Sequence, residues 1–315
     1  MRRIRTISKS ICFKNISSCL LVVMLASVGV QAFAQDQVDG AGPAESVASE
    51  VRGVVSSGMG EWGLSQRFPD SVLWLELEDG ARTLALFWPE METPVRGAVI
   101  ILADEGENAG SGLAGTLARE LTHRKFAVLS LGLEPPSVAL EKMLERPQVA
   151  PEAGPEGGSQ GAPVRATIDV LETEAPSDLE VAYRERIREE LVAGAVELGK
   201  REYDFLAVIG IGRGSNHVVA YAAELGAPPA LVWAQPKFYS RDAGQLAETL
   251  EKASVPRILE LSSSSGGEQR KASLARAGVQ GFSLQAVGSG TVFLPRDGKA
   301  LAGRIAAWLT SGPRQ

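Results

Sequence analysis

Cysteine is nearly absent from this 315-residue chain: Cys12 and Cys19 are the only two, and both precede Leu20. Everything after Cys19 therefore lacks a disulfide staple, a thiol nucleophile and a cysteine metal ligand. Histidine is equally scarce, with only His123 and His217. Two histidines so far apart, without cysteine, make no recognisable zinc site. A basic excess is also missing, since 32 Lys+Arg face 38 Asp+Glu, a net charge of −6. That balance argues against nucleic acid and anionic membrane surfaces as partners. The apolar run Leu20 to Val30 is shorter than the roughly 20 residues that a bilayer-spanning helix needs.

That run has a different reading. Arg2, Arg3, Arg5, Lys9 and Lys14 precede it without any acidic residue, and Ala32-Phe33-Ala34 follows it. A positive start, a short apolar stretch and a small-x-small site predict a signal peptide cleaved after Ala34. A retained anchor is the alternative. Cys19 precedes the apolar run, the wrong side for lipidation, and Arg2-Arg3 lacks the context of a twin-arginine signal. The expected compartment is the periplasm, or an equivalent exported location. The mature chain would carry 27 basic against 38 acidic side chains, a net charge of −11. Roughly 280 residues bury enough surface to fold without disulfides.

Residues 35–60 are poor in aromatics and rich in Gly, Ala, Asp and Glu, which predicts a mobile leader. A folded domain is expected over 61–312. Ser71 to Leu77 and Thr83 to Trp88, joined through Asp79-Gly80, read as a β-hairpin. Gly97 to Ala103 is a continuous apolar run, as in a strand covered on both faces. Beyond it, strands are expected at 126–131, 205–210, 230–234, 256–261 and 282–287. Helices are expected at 112–124, 177–200, 214–225, 242–252, 267–277 and 297–310. Ser177 with Glu180 resembles a capping box, and Leu179, Tyr183, Ile187 and Leu191 form one apolar stripe. Alternating strands and helices predict an α/β sandwich of three layers around a mostly parallel, eight-stranded sheet.

Residues 134–163 interrupt the rhythm with six prolines and no aromatic residue. Such a stretch is expected to be a largely disordered insertion, with one or two helical turns at Val138 to Leu144. A substrate lid is its functional alternative.

The most informative stretch is Gly210-Ile211-Gly212-Arg213-Gly214, between an apolar strand and a helix. The strand count and order resemble the α/β-hydrolase fold over Trp62 to Leu309, and this turn follows the fifth strand, where that fold carries its nucleophile elbow. The chain also resembles an exported Gram-negative bacterial family catalogued as domain of unknown function 3530. The residues that carry this narrower likeness are Gly97 to Ala103 with Asp104-Glu105-Gly106, Leu129-Ser130-Leu131, the Gly210 to Gly214 turn, and Arg304 to Leu309. The resemblance implies a fold and a compartment but no activity.

Acyl transfer on that fold needs a nucleophile, a carboxylate and a histidine, in that chain order. The nucleophile position holds Gly212. The seventh strand leads into Ser262-Ser263-Ser264-Ser265, and the nearest acid, Glu268, falls inside the next helix. The eighth leads into Gly288-Ser289-Gly290, and no histidine follows His217. All three positions read as vacant. The bland account is a tight strand-to-helix turn, because glycine enters the strained elbow conformation without steric cost.

Other chemistries fare no better. Ser215 and His217, two apart on a helix, face away from each other. Ser215 is expected in the helix's first turn, and His217 to be exposed or hydrogen-bonded there. His123 at a helix end complements the dipole. The glycines miss the dinucleotide fingerprint, because Ser215 stands at its third glycine and no acid follows the next strand. They miss a P-loop as well, so no cofactor is expected. What remains is a helix N-terminus with Arg213 beside it, able to hold a carboxylate or phosphate group. Asp104, Glu105, Glu107, Asn108 and Ser111 are expected to share the sheet's carboxyl edge with Arg213, Gln235, Lys237 and Ser262 to Ser265, and Asp104, Glu105, Arg213, Ser215 and Ser262 are the candidates for binding a ligand. This points to a protein that binds an unidentified small ligand or an envelope protein. The alternatives are an atypical serine hydrolase (esterase or amidase class) using Ser215 or the Ser262 to Ser265 loop, and an envelope scaffold.

Overall fold

A computed structural model describes residues 60–146, 176–262, 266–288 and 292–311. The expected signal peptide, the leader up to residue 59 and the 147–163 part of the insertion lie outside the described residues. The chain begins with helix α1 (Glu61–Arg67), then hairpin strands β1 (Val72–Glu76) and β2 (Arg82–Trp88). Next come β3 (Gly97–Leu102), α2 (Gly112–Thr122), β4 (Phe126–Leu131), α3 (Val138–Leu144) and α4 (Pro176–Lys200). They are followed by β5 (Phe205–Ile211), α5 (Gly214–Ala223), β6 (Ala230–Ala234), α6 (Ser240–Ala243) and α7 (Leu246–Ala253). The last elements are β7 (Ile258–Ser262), α8 (Gly266–Arg276), β8 (Phe282–Ala286) and α9 (Gly298–Thr310).

The eight strands form one sheet in the order β1-β2-β4-β3-β5-β6-β7-β8. β1 and β2 pair antiparallel, β2 pairs antiparallel with β4, and the pairings from β4 to β8 are parallel. This is the architecture expected of an α/β-hydrolase-like sandwich. β3 explains the layering. All six of its residues are buried. Ala98, Ile100 and Leu102 join one core with Ile187 and Leu191 of α4, Val218 of α5 and Leu250 of α7. Val99 and Ile101 join the other, with Leu117 of α2 and Leu301 and Ile305 of α9. Alternate side chains thus serve opposite faces, and each buried Val, Ile or Leu contributes about 1.5–3 kcal/mol.

Two local expectations need correction. The helix foreseen over 242–252 is two shorter ones, α6 and α7. The capping box is not formed: the Ser177 hydroxyl meets Asp178, while Glu180 pairs with Arg184 and Arg241. The helical turns expected at Val138 to Leu144 are present as α3. Its Leu140 and Leu144 are buried against Tyr239, apolar contact that offsets the ordering entropy.

α4 also buries a carboxyl. Burial pushes Glu190 up from 4.5 to about 7, opposed by a hydrogen bond with Thr83 and by Arg186. Its folded pKa exceeds its unfolded one, so its contribution to stability is fully present below pH 4.5 and is lost as pH rises through 7. Glu190→Gln should therefore gain about 3 kcal/mol over wild type at pH 8 and under about 1 kcal/mol at pH 5. Urea unfolding at the two pH values checks this; an equal gain at both would assign the effect to something other than the charge.

Candidate functional site

β5 delivers the chain to the apex at Gly212, and α5 begins two residues later. The apex backbone is tied on both sides. Gly212 N–H donates to the Ala234 carbonyl at 3.0 Å, and its own carbonyl accepts from Lys237 N–H at 3.0 Å. Its φ is +52°, a conformation that costs a non-glycine residue about 1–3 kcal/mol. Gly210 serves a second need, close approach: a Cβ there would lie 2.7 Å from the Ser215 Cα.

The space in front of the apex is filled. A Cβ on Gly212 would lie 2.2 Å from the Asp104 Cγ. Asp104 stands in the loop after β3, and its Oδ1 accepts from Glu105 N–H at 2.9 Å and Arg213 N–H at 2.8 Å. Lys237 Nζ donates to its Oδ2 at 2.9 Å. In serine hydrolases of this fold, the oxyanion hole consists of the N–H after the nucleophile and an N–H from this same loop. Here both donors converge on one oxygen of the chain's own carboxylate. Hydrogen bonds to a charged group contribute about 1.5–3 kcal/mol each. Nearby, burial raises the Glu107 carboxyl above its usual range, Asp104 adds to the rise and Lys237 counters it.

A roof closes over this seat. The Arg213 guanidinium binds Glu145 at the end of α3 and lies 4.4 Å from the Tyr239 ring centroid. Its Nε is 4.0 Å from Glu105 Oε2. The Ser240 hydroxyl donates to Glu145 at 3.1 Å, and the Tyr239 hydroxyl donates to Glu105 at 3.1 Å. Burial, then Tyr183 and Glu105, holds the Tyr239 hydroxyl well above the usual tyrosine range, so it stays a donor. Asn216 ties the floor: its Nδ2 donates to the carbonyls of Arg213 and Lys237, and its Oδ1 accepts from Tyr239 N–H.

The structure gathers Asp104, Glu105, Arg213 and Lys237 of the expected set. It differs from expectation over Arg213, which is engaged by acids of its own chain, so the anion at the helix N-terminus is Asp104. Ser215 does lie in the first turn of α5, but it is fully buried and its hydroxyl donates to the Gly210 carbonyl at 3.2 Å. His217 is neither exposed nor hydrogen-bonded through Nε2, which is buried without a partner. α4 packs over that turn, and the imidazole sits edge-on to Tyr183 and Tyr239. Burial, with Arg184 nearby, lowers its pKa to about 3 and keeps it neutral.

At the acid and histidine positions, Ser262 is buried at the end of β7, and 263–265 and 289–291 lie outside the described residues. Glu268 is in α8, exposed and paired with Lys271. His123 is exposed at the end of α2. Gln235, at the end of β6, accepts from Phe293 N–H at 2.6 Å. Among the described residues, no group of three or more His, Cys, Asp or Glu could hold a metal, and no helix is long and apolar enough to cross a membrane.

Sequence reasoning missed Glu145, Asn216 and Tyr239. Glu145 lay in the stretch read as disordered. Asn216 had a signal, a lone amide in the apolar opening of α5, and Tyr239 is one of only four tyrosines.

No curated protein matches the chain. Among solved structures, Est1E from Butyrivibrio proteoclasticus is similar at 12% identity and TM-score 0.50, covering 76% of this chain and 97% of its own. A dienelactone hydrolase-like promiscuous phosphotriesterase, P91 from metagenomic libraries, is 16% identical with TM-score 0.47, covering 76% and 97%. The esterase domain of a Rhodothermus marinus protein gives 13% and 0.46, covering 75% and 96%. The likeness to Est1E agrees with the strand order in showing the fold. The family described as "Protein of unknown function (DUF3530)" matches residues 16–281. On that match, which spans most of the sequence, the chain belongs to the DUF3530 family, built on the α/β-hydrolase fold.

Proposed function

We propose that this protein is exported to the periplasm and acts there by binding, on a hydrolase frame that turns over no substrate. The observation that carries the reading is the carboxylate of Asp104, seated on the two N–H groups that would otherwise polarise a substrate carbonyl. A substrate oxygen could reach those donors only by displacing an anion held by three hydrogen bonds. With glycine at the apex and the Ser215 hydroxyl buried, no nucleophile faces that seat among the described residues. The Arg2 to Ala34 pattern supports export.

A second reading is an atypical serine hydrolase using Ser215 or the Ser262 to Ser265 loop. Its support is that the two oxyanion donors are still in place and aligned. One experiment separates the two. Protein recovered from the periplasmic fraction should begin at Gln35 and remain unlabelled by a fluorophosphonate probe that labels an active esterase beside it. Stoichiometric labelling, abolished by Ser215→Ala or Ser262→Ala, would establish the enzyme; an amino terminus still at Met1 would reject export by cleavage.

A further inference from the structure

The sheet has an open side far from the Gly212 turn. β1 is the first strand in the order, and among the described residues it pairs only with β2. A groove of about 500 Å³ runs along it against α4. Its lining includes five consecutive residues, Trp74 to Glu78. Successive side chains of a strand point to opposite faces, so an unbroken run marks the backbone edge itself as the wall of the groove.

The register says which groups that edge offers. Phe87 N–H donates to the Ser71 carbonyl, and Leu77 N–H donates to the Ala81 carbonyl. Hydrogen-bonded and non-hydrogen-bonded pairs alternate in an antiparallel ladder, which commits the odd residues of β1 to β2. Trp74 and Glu76 therefore turn their N–H and C=O outward, into the groove. Such a row of unpaired groups is a template for another strand. The floor is apolar, with Leu75 and Leu77 facing Val192, Ala193 and Val196 of α4. Val196 is 52% exposed and Trp74 43%.

Charge selects the occupant. The groove carries Glu76, Glu78, Glu189 and Glu197 against one cation, Lys200. Glu197 is shared by Lys200 and Arg201, which leaves three carboxylates along the rim. A second copy of this chain would bring like charges face to face and be repelled. We propose that the β1 edge and α4 together bind an extended segment of a partner protein, in which alternate residues are apolar and the intervening ones include Lys or Arg. The added strand would pair with the outward backbone of Trp74 and Glu76, set its apolar residues on Val192 and Val196, and place its cations at Glu76, Glu78 and Glu189. This surface does not depend on the absence of turnover.

The test is fluorescence anisotropy of the purified protein with a short labelled peptide of alternating lysine and valine. Binding should weaken at least about tenfold when a central valine and the lysine next to it both become proline, which removes a donor to β1 whichever direction the added strand runs. Glu189→Lys should weaken it comparably. Val196→Asp discriminates further, because it makes the groove more acidic while spoiling its floor, so weaker binding is expected. Tighter binding by Val196→Asp, or equal binding of the proline peptide, would reduce the effect to bulk charge and overturn the proposal. Binding seen only after deletion of residues 35–59 would assign the groove to this chain's own leader, and dimerisation abolished by Val196→Asp would assign it to a second copy. Either result rejects an external partner strand. Urea midpoints close to wild type establish that the exposed-site variants fold.

Discussion

Gly212→Ser, the substitution that would restore a nucleophile to the elbow, should destabilise the protein by about 3–5 kcal/mol. Two costs combine. A serine at φ +52° carries backbone strain of about 1 kcal/mol or more. Its Cβ would also stand 2.2 Å from the Asp104 Cγ, so the carboxylate must leave and forfeit its bonds to Glu105 N–H, Arg213 N–H and Lys237. The second cost vanishes once Asp104 is gone. In an Asp104→Ala background, the added effect of Gly212→Ser should fall to about 1–2 kcal/mol, the backbone term alone. Urea unfolding of the four proteins measures the coupling, which contacting residues show and distant ones do not. If the two substitutions add to within about 0.5 kcal/mol, Asp104 does not hold the seat in front of the apex, and the reading of a self-occupied oxyanion site fails with it.

Arg270→Met should cost about 3–5 kcal/mol, as breaking a buried ion pair does when one charge is left behind. Glu260 lies in β7 with no solvent exposure, and its two oxygens accept from Arg270 Nε and Nη2, each at 2.8 Å. The guanidinium comes from α8 and lies 5.4 Å from the Phe238 ring centroid. A buried carboxylate without its partner has neither water nor a counter-charge. Replacing both residues removes that problem, so Glu260→Leu with Arg270→Met should lie well above Arg270→Met alone in stability. A pair of urea curves tests it: a double variant no more stable than Arg270→Met would mean that lost packing of the arginine, not the stranded charge, sets the cost.

The elbow separates two kinds of information. Gly212 was readable as a glycine turn because the requirement for positive φ is local to one residue. Ser215 was placed correctly in the first turn of α5 for a similar reason: helix starts are marked by adjacent residues. Its burial was not readable, nor was that of His217. Ser215 is buried against Gly210 of β5 and His217 under α4, and nothing near His217 in the chain announces that Tyr183 and Tyr239 will close around it. The turns at Val138 to Leu144 were legible in the chain, but their seat was not: Leu140 and Leu144 pack on Tyr239, about a hundred residues away.

The succession of strands and helices, the three-layer class and the apex glycine were determined by the sequence alone, because apolar periodicity and backbone conformation are properties of neighbouring residues. Tertiary structure alone decided that Asp104 takes the N–H groups of Glu105 and Arg213, that Arg213 answers to Glu145, and that β1, among the described residues, pairs only with β2. Polar groups choose partners by distance in space, and the loop after β3 meets the turn after β5 only when the two strands lie side by side in the sheet.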